Sequence, residues 1–122
     1  MGAGAGGKFG NTQGKRSSAK IHKGKQDKHI EGTNNYNQQR ANGKNPSILT
    51  KNAEELLREG AGKGTRIGIN KEVVNFGKPI GKFYDVNSGK YYDTSRGTIH
   101  YDRDGGAHIV PAMPSWMFES KR

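Results

Sequence analysis

In the hexapeptide Arg96-Gly-Thr-Ile-His-Tyr101 small or apolar and reactive side chains alternate. On an extended backbone Arg96, Thr98 and His100 therefore share one face, and Gly97, Ile99 and Tyr101 the other. Ala107-His-Ile-Val110 carries the same alternation. If the two segments pair as a hairpin, burying Ile99 beside Ile109 brings His100 and His108 together on the opposite face. A loop at 102–106 sets the two imidazoles directly opposite one another, with Cβ atoms about 5 Å apart. A tight Asp104-Gly105 turn would instead place His108 on the side of Tyr101. The apolar pattern favours the first register.

Two imidazoles, a guanidinium and a hydroxyl on one solvent-facing patch match the needs of metal-free RNA cleavage. A base must take the ribose 2′-OH proton, an acid must protonate the leaving 5′-oxygen, and a fixed cation must offset the charge that builds on phosphorus. His titrates near neutrality and suits either proton task, while Arg binds phosphate oxygens and stays charged. Each residue also has an ordinary explanation. A strand His is often structural, Arg96 could pair with Asp93 or Asp102, and Thr98 is a good strand former. Metal chemistry is disfavoured: four His, no Cys, no HExxH and no third ligand for a zinc held by His100 and His108. Ser95 and Ser115 lack a nucleophile elbow. We expect no metal and no cofactor.

These side chains need a sheet to hold them. From Thr65 onward the pattern predicts strands near 66–70, 72–76, 80–85, 90–93, 97–101 and 107–110, separated by Gly-rich or Asn/Asp-rich turns. Upstream, Asn52 can cap a helix over 53–59, with Glu55 completing a capping box, Leu56 and Leu57 supplying the buried stripe and Gly60 ending it. Residues 32–46 are polar with Asn42-Gly43 and Asn45-Pro46 turn signals, which predicts a loop. The stretch 19–30 is basic and fits a short helix or an extended arm. The fold class is α+β, with a basic N-terminal segment and a short helix packed on a twisted antiparallel β-sheet.

Composition sets the outer bounds. The chain has 122 residues, of which 30% are hydrophobic and 19 are Gly, so one small core is expected in part of it. Residues 1–18 predict a flexible Gly-rich tail or linker remnant, and 19–122 the working domain. The net charge is +10, concentrated in residues 1–46, where nine Lys/Arg face only Asp27 and Glu31. Such an excess attracts polyanions, with nucleic acid first, anionic membrane second and an acidic protein third. No segment approaches the roughly 18 apolar residues of a membrane span, and the opening Met1-Gly-Ala-Gly-Ala-Gly-Gly has no apolar signal-peptide middle. Stable membrane insertion is not expected, and export would rely on something outside this sequence.

Four segments together resemble a known family: Lys23 to Tyr36, Ser47 to Leu57, Thr94 to Tyr101 and Ala107 to Ala112. In content and order they are similar to the polymorphic toxin type 50 domain, found at the C-termini of contact-dependent growth inhibition toxins and related secreted toxins, over about residues 21–114. Between Tyr36 and Ser47 this sequence has a longer run, 37–46, than the family pattern. The resemblance implies an endoribonuclease of the barnase, EndoU, colicin and RelE-like group. Its helical N-terminal part would lie against a four- or five-stranded antiparallel sheet, with the site across the sheet face. It further implies RNA as substrate, with tRNA the first candidate, and neutralisation by a cognate immunity protein. The protein would be delivered as part of a larger toxin and would act in the target bacterial cytoplasm.

Matched by position, the resemblance adds His29 to the catalytic candidates Arg96, Thr98, His100 and His108. Lys23, Lys25 and Lys28 would engage phosphates, with Thr33 in the same contact set, and Tyr36 or Tyr101 would stack a base if exposed. His29 is the first candidate for the base and His100 or His108 for the acid. The immunity protein would be acidic, and the free toxin monomeric. A non-catalytic nucleic-acid-binding module and a metal-dependent DNase are the rival readings.

Overall fold

The computed structural model describes residues 18–119. Its elements are β1 (Lys20–Ile21), α1 (Lys23–Asp27), α2 (Asn34–Ala41), β2 (Ile48–Leu49), α3 (Ala53–Gly60), β3 (Thr65–Gly68), β4 (Lys71–Asn75), β5 (Gly81–Asp85), β6 (Lys90–Thr94), β7 (Arg96–Tyr101), β8 (Gly106–Pro111) and α4 (Ser115–Glu119). The class is α+β. The expected tail over residues 1–18 lies, but for Ser18, outside the described residues.

The sheet is divided rather than single. β1-β8-β7-β4-β3 form one five-stranded sheet and β2-β5-β6 a second of three strands. All pairings are antiparallel except β1 with β8, where Lys20 and Ile21 run parallel to Gly106 and Ala107. In the central hairpin Ile99 faces Ile109 and His100 faces His108, the register demanded by burial of the two isoleucines. Both isoleucines are fully buried, with Ile80, Leu56 and Ala107, under the apolar face of α3. Gly97 is required by this packing. A Cβ there would come within 2.9 Å of Ile80 and 3.1 Å of Ile109, well inside contact distance.

Helix α3 forms as its sequence predicts, with the Asn52 side chain accepting the Glu55 N–H at 2.9 Å. The polar stretch 32–46 does not remain a loop, because residues 34–41 form α2. Thr33 caps it by accepting the Tyr36 N–H at 3.1 Å, and Gly43 leaves it with a φ of 80°. The helix buries only Tyr36, so no apolar stripe advertised it. The strands β1 and β2 were not anticipated either; two residues are too few to display a period. No helix among the described residues is long and apolar enough to cross a membrane.

Candidate active site

The outer face of the five-stranded sheet is built by alternation. Arg96, Thr98 and His100 on β7 share it with His108 and Val110 on β8, and with Lys71, Val73 and Asn75 on β4. His29 arrives from elsewhere in the chain, from the turn that follows α1. Its ring stacks with His108 at a centroid separation of 6.3 Å with planes 15° apart, and His100 stacks with His108 at 4.7 Å and 12°. Three near-parallel imidazoles thus form one column in which His108 stacks with both of the others.

Two anchors fix His29. Leu49 N–H donates to the His29 carbonyl at 2.7 Å, and the His29 ring is bonded to the Ser47 carbonyl through Nδ1 at 2.9 Å. A carbonyl only accepts, so Nδ1 carries the hydrogen and, in the neutral ring, Nε2 is the free basic nitrogen. Helix α1, one turn upstream, is held by Gln26, which is only 1% exposed. Its side-chain amide accepts the Ile109 N–H at 2.7 Å and donates to the Ile109 carbonyl at 2.9 Å. Gln26 thereby continues the β1 edge as though it were one more strand residue, and it does so next to His108. Sequence reasoning passed over Gln26 because a Gln in a lysine-rich stretch looks solvated.

Burial is the leading influence on all three rings, and it favours the neutral form. His108 is pushed down to about 4, mainly by burial, then by the charges of His100 and His29. His100 is lowered by burial, by Lys71 and by His29, with Asp102 opposing. His29 is lowered by burial, against the contrary pull of its bond to Ser47, with Lys28 lowering it further. Because folding depresses these values, the unfolded chain binds more protons below about pH 6.5. Stability should therefore decline as pH falls from about 6.5 towards the folded value of about 4 for His108. Denaturant midpoints measured across this range should show the decline in the wild type and a shallower one in His108→Asn.

The remaining expected contacts separate into groups. Lys28 is exposed beside His29. Lys23 pairs with Asp27 at 2.7 Å on the surface, a weak tie that a phosphate can displace. Lys25 is committed to Asp102 at 2.8 Å. The Thr33 hydroxyl donates to the Asp27 and Ile30 carbonyls, at 2.6 and 2.9 Å, so it is occupied in holding α1 to α2. Tyr36 is 8% exposed. Tyr101 turns to the core side, where its hydroxyl donates to the buried Glu72 carboxylate, which also accepts the Gly62 and Gly64 N–H groups. Tyr36 is thus buried under its own helix, while half-buried Tyr101 directs its hydroxyl inward. Arg96 donates to the Met113 carbonyl at 2.6 Å and lies 4.8 Å above the Phe118 ring. Three strand residues lie between it and His100, which sets the two about 13 Å apart along β7.

Two residues join the site unannounced. Lys71 lies across from His100 in the β4–β7 register, and Asp102 continues the His100 face two residues on. Asp102 was legible from the alternation but was absorbed into the predicted hairpin loop; Lys71 needed a register that the sequence does not state. Among the described residues no group of three His, Asp or Glu side chains is arranged to hold a metal ion.

A family model described as Bacterial toxin 50 matches residues 21–111, from β1 through the last residue of β8. The chain belongs to this family. It is a bacterial polymorphic toxin domain, and the match spans His29, Arg96, Thr98, His100 and His108. Neither a curated protein nor a solved structure matches the toxin domain significantly.

Proposed function

We propose that this toxin domain is a metal-independent endoribonuclease that cuts RNA by transesterification, with tRNA the first substrate to test. The observation that carries the reading is the column of three imidazoles on a cationic sheet face, one of which has its Nε2 freed by the Ser47 bond. Neutral His29 removes the 2′-OH proton. The 2′-oxygen then attacks phosphorus, the bond to the 5′-oxygen breaks, and His100 or His108 delivers a proton to that oxygen. Rings kept neutral by burial gain proton affinity when a phosphodiester anion lies against them, so substrate itself charges the acid. Lys71, opposite His100, and Lys28, beside His29, offset the charge on the phosphorane, while Thr98 shares the same face. Arg96 holds the strand at the next phosphate.

In a bacterium that makes the toxin, activity would have to be blocked. An acidic immunity protein covering the Lys-rich face is the partner that this charge distribution favours. The reading also places the work of the domain in the cytoplasm of a target bacterium.

Incubating purified domain with total cellular RNA in EDTA and mapping the ends tests the chemistry. Discrete fragments with 2′,3′-cyclic phosphate and 5′-hydroxyl termini are expected. DNA nicking that EDTA abolishes would replace this reading by a metal-dependent DNase, and RNA binding without any cut would replace it by a binding module.

A further inference from the structure

Two polar atoms on the histidine face are buried without a hydrogen-bond partner: Asp102 Oδ2 and His108 Nδ1. Buried orphans are costly, and a complementary pair whose charges act on one another invites a functional explanation. Their positions are related. His100 faces His108 across the β7–β8 ladder, and Asp102 lies two residues beyond His100, next to the start of β8 through its own N–H bond to the Gly106 carbonyl at 2.8 Å. The carboxylate is held rather than loose, since Lys25 donates to its other oxygen at 2.8 Å. That ion pair and the nearby histidines keep Asp102 ionised, the Lys25 bond first and the charges of His108 and His22 after it.

We infer that Asp102 is the positioning residue of the general acid: it accepts the Nδ1 hydrogen of His108, fixes the ring with Nε2–H directed outward, and so assigns proton delivery to His108. This rests on the cleavage reading above and completes it, because that reading left the acid open between His100 and His108. It also gives Lys25 a task other than phosphate binding, which is to hold Asp102.

The proton balance closes without another reactant. In the free protein His108 is neutral. The charges that bear on it are those of His100 from the sheet, His29 from the turn after α1, Lys25 from α1 and Asp102, while Lys71 bears on His100 and His22 on Asp102. Of those acting on His108, His100, His29 and Lys25 oppose its protonation and Asp102 favours it. When a phosphodiester enters, its negative charge offsets the cations and His108 takes a proton from water. The imidazolium then has Nδ1–H on Asp102 Oδ2 and Nε2–H for the leaving 5′-oxygen. After transfer it returns to the neutral ring while His29 carries the proton taken from the 2′-OH, and exchange with water resets both.

The test uses two substrates that differ only in the leaving group. A dinucleotide has an alkoxide leaving group that needs an acid, whereas the nitrophenyl ester of a nucleoside 3′-phosphate releases a stable phenolate that does not. Asp102→Asn should slow dinucleotide cleavage about tenfold or more, less than the about 10²–10⁴-fold of removing an acid itself, and should leave cleavage of the nitrophenyl ester near the wild-type rate. His108→Ala should show the same selectivity, His29→Ala should lose both substrates, and the pH profile of Asp102→Asn should lose the limb set by the acid. Equal losses of Asp102→Asn on both substrates would overturn the assignment. Wild-type protein that cuts neither substrate would overturn the cleavage reading instead. Should Asp102→Asn fail to fold, nitrogen NMR of the wild type with a 2′-deoxy dinucleotide decides. A hydrogen-bonded Nδ1–H on His108 is expected, and an Nε2–H tautomer with bare Nδ1 refutes the proposal.

Discussion

His29→Ala should reduce RNA cleavage about 10²–10⁴-fold, and His29→Asn should be equally inactive although it keeps a donor for the Ser47 carbonyl. The second variant makes the result informative. An Asn amide can reproduce the 2.9 Å bond to Ser47 and so preserve the local fold, but it has no basic nitrogen where Nε2 stood. A rate restored by Asn would show that His29 only braces the segment 47–49 and would leave the base unassigned. The effects of His29, His100 and His108 should not multiply. Once base or acid is gone the remaining imidazoles cannot complete the proton circuit, so the triple variant should be little worse than the most damaging single one. Undiminished toxicity in the triple variant would overturn the histidine mechanism and support the non-catalytic binding module.

The second large effect belongs to a residue that touches no substrate. Gln26→Leu should destabilise the domain by about 2–6 kcal/mol, because it orphans the buried N–H and carbonyl of Ile109 at about 1–3 kcal/mol each. Leu has a comparable volume, which separates the lost hydrogen bonds from any cavity. Gln26 also determines where α1 lies. Its two bonds, at 2.7 and 2.9 Å, fix α1 against β8, and His29 lies three residues later. Cleavage should therefore fall even in conditions where Gln26→Leu remains folded, and a stabilising osmolyte should restore the fold more fully than the rate. A melting transition within the error of wild type would show that β8 keeps its edge satisfied in another way.

The difference between these residues shows how far the sequence could be read. The His100–His108 pair was legible because it depends only on alternation and on one burial constraint, Ile99 against Ile109, within a single hairpin. The Asn52 cap of α3 was legible for a similar reason, since its donor and acceptor lie three residues apart. Helix α2 was not, because its eight residues bury one tyrosine and show no stripe. Where the rings of Tyr36 and Tyr101 go was not legible: an aromatic ring looks the same in sequence whether it meets a base, a core or, as with Tyr101, a buried carboxylate.

By itself, then, the sequence determined what is local: the charge that draws a polyanion, the helix cap, the hairpin register and hence two facing imidazoles. Only the tertiary structure decided that His29 packs against His108, that Gln26 rather than a full-length strand satisfies the edge of β8, that Lys71 stands across from His100 and that Arg96 is tied to Met113 and Phe118. Short-range periodicity fixes which face a side chain takes, since a one-residue slip would expose the core. Which distant segment covers that face depends on the packing of the whole chain, which no local pattern encodes.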